Sequence, residues 1–515
     1  MRYLMLGIIL FGTLAVAADY DAQEWQRKEN REQVARILNG RPLEAIQNMR
    51  NYLHSHPADA EVMLGMAMAY SSMAETDSAW LWCKRALACG MPVERFLAGP
   101  RDAFKELVCS EPFQDYLRNN SVELLHGPQI GSVTDHSAKI WLRTREAARV
   151  RVRFGTTAEL EEADFSSRLQ ISDNMDYTAD VPIYGLSADT KYFYQLELNG
   201  ELLSPVHSFR TFPQKDVAAQ FSVAWGGCAA YNPHKEHMWS TIQKHQPDAL
   251  LLLGDNVYID HPESPGTQRF CYYQRQSAPQ WRDLTADVPV YSIWDDHDFG
   301  VNDDFGGPLK YEPSWKVTAL EIFKENWTNP YYSHRQDTPG IWYDFKIGDV
   351  QFFMLDCRYY RQPSTADGTP SMLGPVQKQW LKDKLRESDA TFKMICSSVP
   401  WADGAKGTME GRYDTWRGYP EERQEIFDFL TAYKIDGVVL LSADRHRSDA
   451  WLHERQGTYP LWEFENSRLT NIHYHDLMPG AFWGYNQTCM FGLFEFNTQT
   501  SDPELVYKVI SIDNE

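Results

Sequence analysis

The densest chemistry in the chain is the stretch Val288-Pro-Val-Tyr-Ser-Ile-Trp-Asp295-Asp296-His297-Asp298. An apolar, β-branched run of strand length ends in four polar residues, three of them carboxylates. Open α/β sheets bind ligands at the C-terminal ends of their strands, and this ending suits such a place. Carboxylates packed this tightly repel one another, and a multivalent cation relieves the repulsion. An acidic turn with a solvated His is the plain alternative. Five further apolar runs finish in the same manner. They lead into Gly226-Gly227-Cys228, Gly254-Asp255-Asn256-Val257-Tyr258, Asp356-Cys357-Arg358, Cys396-Ser397-Ser398 and Ser442-Ala443-Asp444-Arg445-His446. Six polar strand ends argue for one shared site at the edge of a sheet.

The set to be explained is Cys228, Asp255, Tyr258, Asp295, Asp296, His297, Asp356, Arg358, Asp444 and His446. Carboxylates outnumber imidazoles. Hard oxygen donors suit Ca²⁺, Mg²⁺ or Mn²⁺, whereas a thiolate and phenolate pair suits iron of high charge. Zinc sites normally take more His and Cys than this. Arg358 offers a planar, permanently charged fork that suits a phosphate oxyanion; a structural salt bridge to Asp356 is its other reading. Water activated by metal, with an arginine clamp, amounts to hydrolysis of a phosphate ester.

The elements that position this set occupy the later part of a 515-residue chain, long enough for two to four domains. A formal charge of -21 makes sequence-independent binding to nucleic acid or anionic membrane a poor expectation. Residues 1–18 read as a signal peptide: Arg2, an apolar Leu4 to Val16, and Ala15-Val16-Ala17 as cleavage site, with an uncleaved anchor as the alternative. Export to a periplasm or out of the cell is expected, and no later segment reads as transmembrane. Eight Cys are too few for a disulfide scaffold; Cys89 and Cys109 bracket one helical hairpin, and their pairing is left open.

Residues 19–124 read as helical. Pro42 opens one helix, and the Met/Ala stripe from Ala58 to Tyr70 is core. Gly65 and Tyr70 stand where tetratricopeptide-type hairpins favour them, although one or two units fall short of a free-standing array. From residue 125 to 213 the period becomes two, and Leu186 to Leu196 resembles the tyrosine corner of fibronectin III and immunoglobulin-like folds. A β-sandwich of about seven strands is expected there. Residues 219–515 alternate strands and helices and carry the site.

Five motifs occur in a familiar order. They are Gly254-Asp255-x-x-Tyr258, Trp294-Asp295-Asp296-His297-Asp298, Leu355-Asp356-x-Arg358-x-Tyr360, Leu373-Gly374-x-x-Gln377-x-x-Trp380-Leu381 and Leu441-Ser442-Ala443-Asp444-Arg445-His446. Together they resemble the alkaline phosphatase D (PhoD-like) branch of the calcineurin-like metallophosphoesterases, over roughly residues 125 to 515. The resemblance implies a four-layer α/β sandwich acting on a phosphate monoester or diester, with iron(III) beside calcium and other divalent metals left open. It implies Cys228, Asp255, Tyr258, Asp296, Asp444 and His446 as metal ligands. His297 and Arg358 would contact the substrate phosphate, with Asp295 and Asp356 supporting from behind. Two departures stand out: Ala443 replaces a Gly of the final motif, and Gly226-Gly227-Cys228-Ala229 replaces the commoner Ser-Cys-Gln. Substrate choice is expected in loops 264–282 and 365–371, with Tyr272, Tyr273 and Trp281 lining a cleft or forming the core of a lid. The competing reading is an inactive phosphatase-like domain in a binding or adhesion protein. Oligomeric state is not legible.

Overall fold

The computed structural model describes residues 22–515 apart from 335–336, 364–368 and 407–411. The expected signal peptide and most of the loop 365–371 lie outside the described residues. Among the described residues, no helix is long and apolar enough to cross a membrane. Cys89 and Cys109 are free, exposed thiols.

The helical region runs through Asn30–Leu38, Pro42–Ser55, Ala60–Ser72 and Thr76–Ala88, followed by three shorter helices ending at Asn119. Asp59 caps the third of these by accepting from Val62 N at 3.1 Å. That helix is buried almost all round, and its Met and Ala residues are core. A methyl group at Gly65 would lie 2.7 Å from Met49 Sδ, so the glycine lets the two helices meet.

Strands Leu124–Gly131, Ser137–Thr144 and Thr178–Tyr184 form one antiparallel sheet of the next region, and Ala148–Gly155 and Lys191–Leu198 lead the second. Ile140, Val181 and Ile183 from the first share a core with Val150, Val152 and Leu196 from the second. Tyr192 Oη accepts from Ser187 N at 3.0 Å across the preceding turn. Nine strands stand where about seven were expected; two of them are the two-residue ribbons Asp164–Phe165 and Glu201–Leu202.

The remaining chain builds two facing sheets. One has five strands in the order Val290–Ile293, Ala249–Leu253, Gln220–Gly226, Met490–Asn497 and Glu504–Ser511, the first three parallel. The other has seven, with Val350–Met354, Phe392–Cys396, Val438–Ser442 and Leu461–Asn466 mutually parallel. Alternation along a strand sends successive side chains to opposite faces. Phe352 and Met354 therefore meet Phe494 and Phe496 between the sheets, while Phe353 and Leu355 pack outward against Trp380, Leu381, Ile426 and Phe427 of two covering helices. On the far side, Trp239 and Trp281 from helices His237–Lys244 and Pro279–Asp287 meet edge to face at 4.8 Å. The six polar strand ends come three from each sheet, so the site lies where two sheets converge and not along a single edge.

Residues 264–282 are not the expected substrate loop. They form helix Pro265–Ser277 and the start of Pro279–Asp287, and Tyr272, Tyr273 and Trp281 are core. Each helix opens on a Pro in its first turn. The first also carries the docked helical region: Arg95 grips Glu61 in a buried pair at 2.5 and 3.0 Å, Gln274 donates to Glu61 at 3.1 Å, and Arg95 lies over Phe270. Removing one partner of a buried pair strands the other charge. Glu61→Ala is therefore expected to destabilise the intact chain by about 3–5 kcal/mol in guanidinium denaturation. A loss within measurement error would show that the pair does not hold this interface.

Candidate metal centre and active site

Gly254 makes the first approach possible. Its φ is 103°, and a Cβ there would lie 2.5 Å from Asp295 Cβ, so only Gly lets the ends of two parallel strands come this close. Beyond it, Asp255 accepts Tyr258 Oη at 2.9 Å on one carboxylate oxygen and His297 N at 3.3 Å on the other. Cys228 Sγ lies 3.6 Å from Asp255 Oδ2 and 3.7 Å from Asp444 O. Donor atoms of Cys228, Asp255 and His446 lie within 4.8 Å of one another, as do those of Asp255, Asp296 and His297. A third such group is Asp296, Asp303 and Asp414.

The backbone here is unusual. Cys228, Asp255, Asp444 and His446 have φ values of 58°, 53°, 76° and 50°. Left-handed backbone is sparsely populated by residues with a side chain, and it gathers at functional sites. In the final motif the left-handed positions fall on Asp444 and His446, so Ala443 does not need the freedom of the Gly it replaces. Its methyl lies where a Cβ at Gly227 would collide with it, at 2.7 Å. The two departures from the family pattern meet in space, and Gly227 supplies the room that Ala443 takes.

Electrostatics favour protonated groups around Cys228, whereas at Asp296 burial is outweighed by the Arg358 and His297 charges, which hold the carboxyl below its ordinary range. Burial, then the charges of Asp255 and Asp444, push the Cys228 thiol well up. The Tyr258 phenol and the Asp255 carboxyl are likewise pushed well up, chiefly by burial. His446 is driven well down by burial and by its neighbours His473 and His475, and is therefore neutral. A neutral imidazole is the form that binds metal. Asp296 Oδ1, Asp295 Oδ2 and His446 Nδ1 are buried without a hydrogen-bond partner among the described residues. Orphaned acceptors of this kind, beside a thiol and a phenol, fit a donor set for multivalent cations.

Arg358 is placed differently from a phosphate clamp. Its guanidinium is fully enclosed: Nε donates to Asp295 at 2.6 Å, and Nη1 donates to Asp414 at 2.9 Å and to Asp304 O at 3.1 Å. Nη2 lies 3.5 Å from Asp296. The alternative partner Asp356 receives the Arg358 backbone N–H instead, together with Tyr359 N, Trp294 Nε1 and Ile341 N. Asp356 thus pins the loop that presents Arg358. Asp295 also accepts Ser398 Oγ at 2.7 Å and forms a capping box with Asp298. Burial alone would raise the Asp414 carboxyl, but Arg358, Arg361 and Lys406 hold it well below the usual range.

Several site residues were not singled out from sequence. Asp260 accepts His297 Nδ1 at 2.5 Å, and the two lie in successive strand-end loops. Asp303 continues the acidic run and donates its backbone N–H to Asp296 at 2.7 Å. His473 and His475, two residues apart, close over His446 with ring centroids 5.0 and 5.5 Å away. Asp414 carried no local signal.

A family model described as PhoD-like phosphatase matches residues 223–476. Residues 223–476 belong to the PhoD-like phosphatase family. Residues 121–217 match a domain of unknown function, DUF7800. Alkaline phosphatase D of Bacillus subtilis is 24% identical over 323 residues, covering 53% of this chain and 54% of the relative. Purple acid phosphatase 15 of Arabidopsis thaliana is 24% identical over 238 residues, covering 43% of this chain and 39% of the relative. The matched region spans about half the length of these relatives or less. In fold, the chain is similar to the structure of PhoD, with a TM-score of 0.60 at 18% identity over 75% of this chain and 90% of that one. It is also similar to the purple acid phosphatase PPD1 of yellow lupin, with a TM-score of 0.54 at 12% identity over 76% and 73%.

In the PhoD-like domain, the engaged fork of Arg358 generates a test. A structural arginine that is removed strands Asp295 and Asp414, whereas a phosphate clamp that is removed raises KM on a stable fold. Arg358→Met is expected to lower stability by about 3–5 kcal/mol. Thermal denaturation checks it, and a stable variant with only a raised KM would restore the clamp.

Proposed function

We propose that the chain is an exported, metal-dependent phosphoesterase that hydrolyses phosphate esters in its PhoD-like domain. The observation carrying this reading is the convergence of Cys228, Asp255 and His446, and of Asp255, Asp296 and His297, each within 4.8 Å. Cys228, Tyr258, Asp255 and His446 would hold an iron(III), for which a thiolate and a phenolate are suited donors. Asp255, Asp296 and Asp444 would hold a harder ion such as calcium on the other side. Bound there, the cations would acidify a water and offset charge developing on the phosphoryl oxygens.

The chain's own residues then take defined parts. His297 spends Nδ1 on Asp260, which leaves Nε2 to meet a substrate oxygen and to give a proton to the leaving group. Its ring packs on Tyr258 at 4.3 Å between centroids, which limits its rotation. Arg358, Arg361 and Lys406 hold Asp414 ionised, and Arg358 also pairs with Asp295, which keeps the acidic wall in place. The packing of Gly65 on Met49 supports reading the first region as tetratricopeptide-like, and the Tyr192 corner supports reading the second as fibronectin III-like. Export rests on the leader read at residues 1–18.

Elemental analysis of the purified protein is expected to find iron with calcium rather than zinc. Bis(p-nitrophenyl) phosphate is expected to be hydrolysed, and chelation to stop the reaction. Asp255→Asn and Cys228→Ser are each expected to remove most activity, by about 100-fold or more, and to lower bound metal. Protein without metal and without turnover would favour the binding-protein reading. A variant with wild-type rate and metal content would remove its residue from the centre.

A further inference from the structure

The site draws on a part of the chain outside both matched domains. Asp260 stands five residues after Asp255, with φ 53°, and both of its carboxylate oxygens are engaged. Oδ1 receives His297 Nδ1 at 2.5 Å. Oδ2 receives Arg31 Nη2, from helix Asn30–Leu38 of the N-terminal region. Arg31 is itself buried, and its Nη1 donates to Arg27 O at 2.7 Å, so the guanidinium is tied to the π-helical turn Trp25–Glu29 that leads into its helix. The next residue makes a parallel contact: Glu32 Oε1 lies 3.1 Å from His261 Nε2. A methyl group on Gly266 would meet Leu38 of the same helix at 2.9 Å. The helix is thus seated on the loop between Tyr258 and Pro265, the loop that carries the partner of His297.

We infer that Arg31 is a positioning residue for His297, acting through Asp260, and that the N-terminal helical region is thereby a built-in part of the active site. A carboxylate on a loop has two rotatable side-chain bonds and can swing away from an imidazole. Anchoring its second oxygen to a buried, helix-tethered guanidinium removes that freedom, so the His297 ring keeps one face and one free nitrogen toward the reacting centre. Partners that orient a functional imidazole from behind commonly change activity about 10- to 100-fold when removed. The inference rests on the phosphoesterase reading for its kinetic consequence, but its geometric content does not.

Three variants of the intact chain test it, assayed with bis(p-nitrophenyl) phosphate and by elemental analysis. Arg31→Gln is expected to lower kcat about 10- to 100-fold, with KM and metal content near wild type. Arg31→Lys, which keeps a charge within reach of Asp260, is expected to recover part of that loss. Glu32→Gln, which weakens the neighbouring contact on the same helix, is expected to keep wild-type kcat. In a His297→Ala background, Arg31→Gln is expected to cost nothing further, because the two act as one unit. An unchanged kcat in Arg31→Gln, an equal loss in Glu32→Gln, or full additivity with His297→Ala would each overturn the inference. Crystal structures of the wild type and Arg31→Gln decide it independently of turnover. Asp260 and His297 are expected to leave their wild-type rotamers, and unchanged rotamers would overturn the positioning role. A wild-type enzyme that turns over nothing would count against the phosphoesterase reading alone.

Discussion

The Arg358 guanidinium, sealed between Asp295 and Asp414, is the contact on which the rest of the centre depends. Asp295 ends a strand of the five-stranded sheet, and Arg358 follows a strand of the seven-stranded one. The pair therefore closes the seam between the two sheets. It also solves an electrostatic problem. Asp255, Asp295, Asp296, Asp414 and Asp444 are all buried within one region. Carboxylates taken out of water repel strongly in a medium of low dielectric and need compensation. Arg358, Arg361, Lys406 and Arg445 compensate the outer wall. The inner group of Cys228, Asp255, Tyr258 and His446 forms no ion pair with a Lys or Arg among the described residues, and there burial pushes the thiol, the phenol and the Asp255 carboxyl toward their protonated forms. That division, a wall neutralised by the protein and a pocket left to an external charge, is what a cation site requires.

The sequence made the strand ends legible because parallel strands covered on both faces read as unbroken apolar runs, and their polar endings stand out. Cys228, Asp255, Asp295, Asp356, Ser398 and Asp444 all sit where that pattern puts them. Assignment of three ends to each of two sheets was not legible, since strand order is set by long-range pairing that leaves no local trace. The fate of Arg358 was hidden for a related reason: its decisive partner, Asp414, lies 56 residues away in a segment with no periodic signal. Helix Pro265–Ser277 was misread as a loop because it buries Gln268, Gln274, Arg275 and Gln276 as well as aromatics, which erases any apolar stripe. Arg31 is 229 residues from Asp260, beyond any reading of spacing.

The two departures from the family motifs also show why such positions are better read in pairs than singly. Taken alone, Ala443 in place of a Gly looks like a threat to the loop that presents Asp444 and His446. In the fold, the demanding φ values belong to those two residues, and Gly227 leaves open the volume that the Ala443 methyl fills. The loop keeps its shape because the space was exchanged across the seam.

This bears on whether the domain is an enzyme or a scaffold that has lost its chemistry. Left-handed backbone at residues with a side chain costs about 1–3 kcal/mol at each position. Here it recurs at Cys228, Asp255 and His446, whose donor atoms converge, and at Asp444 of the same strand-end loop as His446. The same region leaves His446 Nδ1 buried without a hydrogen-bond partner among the described residues, and Asp296 Oδ1 with only the Arg358 ion pair at 3.5 Å, a further cost that packing alone does not offset. A module needed only for its surface gains nothing from these strains, and simple substitutions at any of the positions would relieve them. A cation held by the converging donors would return that free energy. The Arg31–Asp260–His297 chain extends the same logic outward, because it commits a buried arginine of a separate region to the orientation of one imidazole beside that centre.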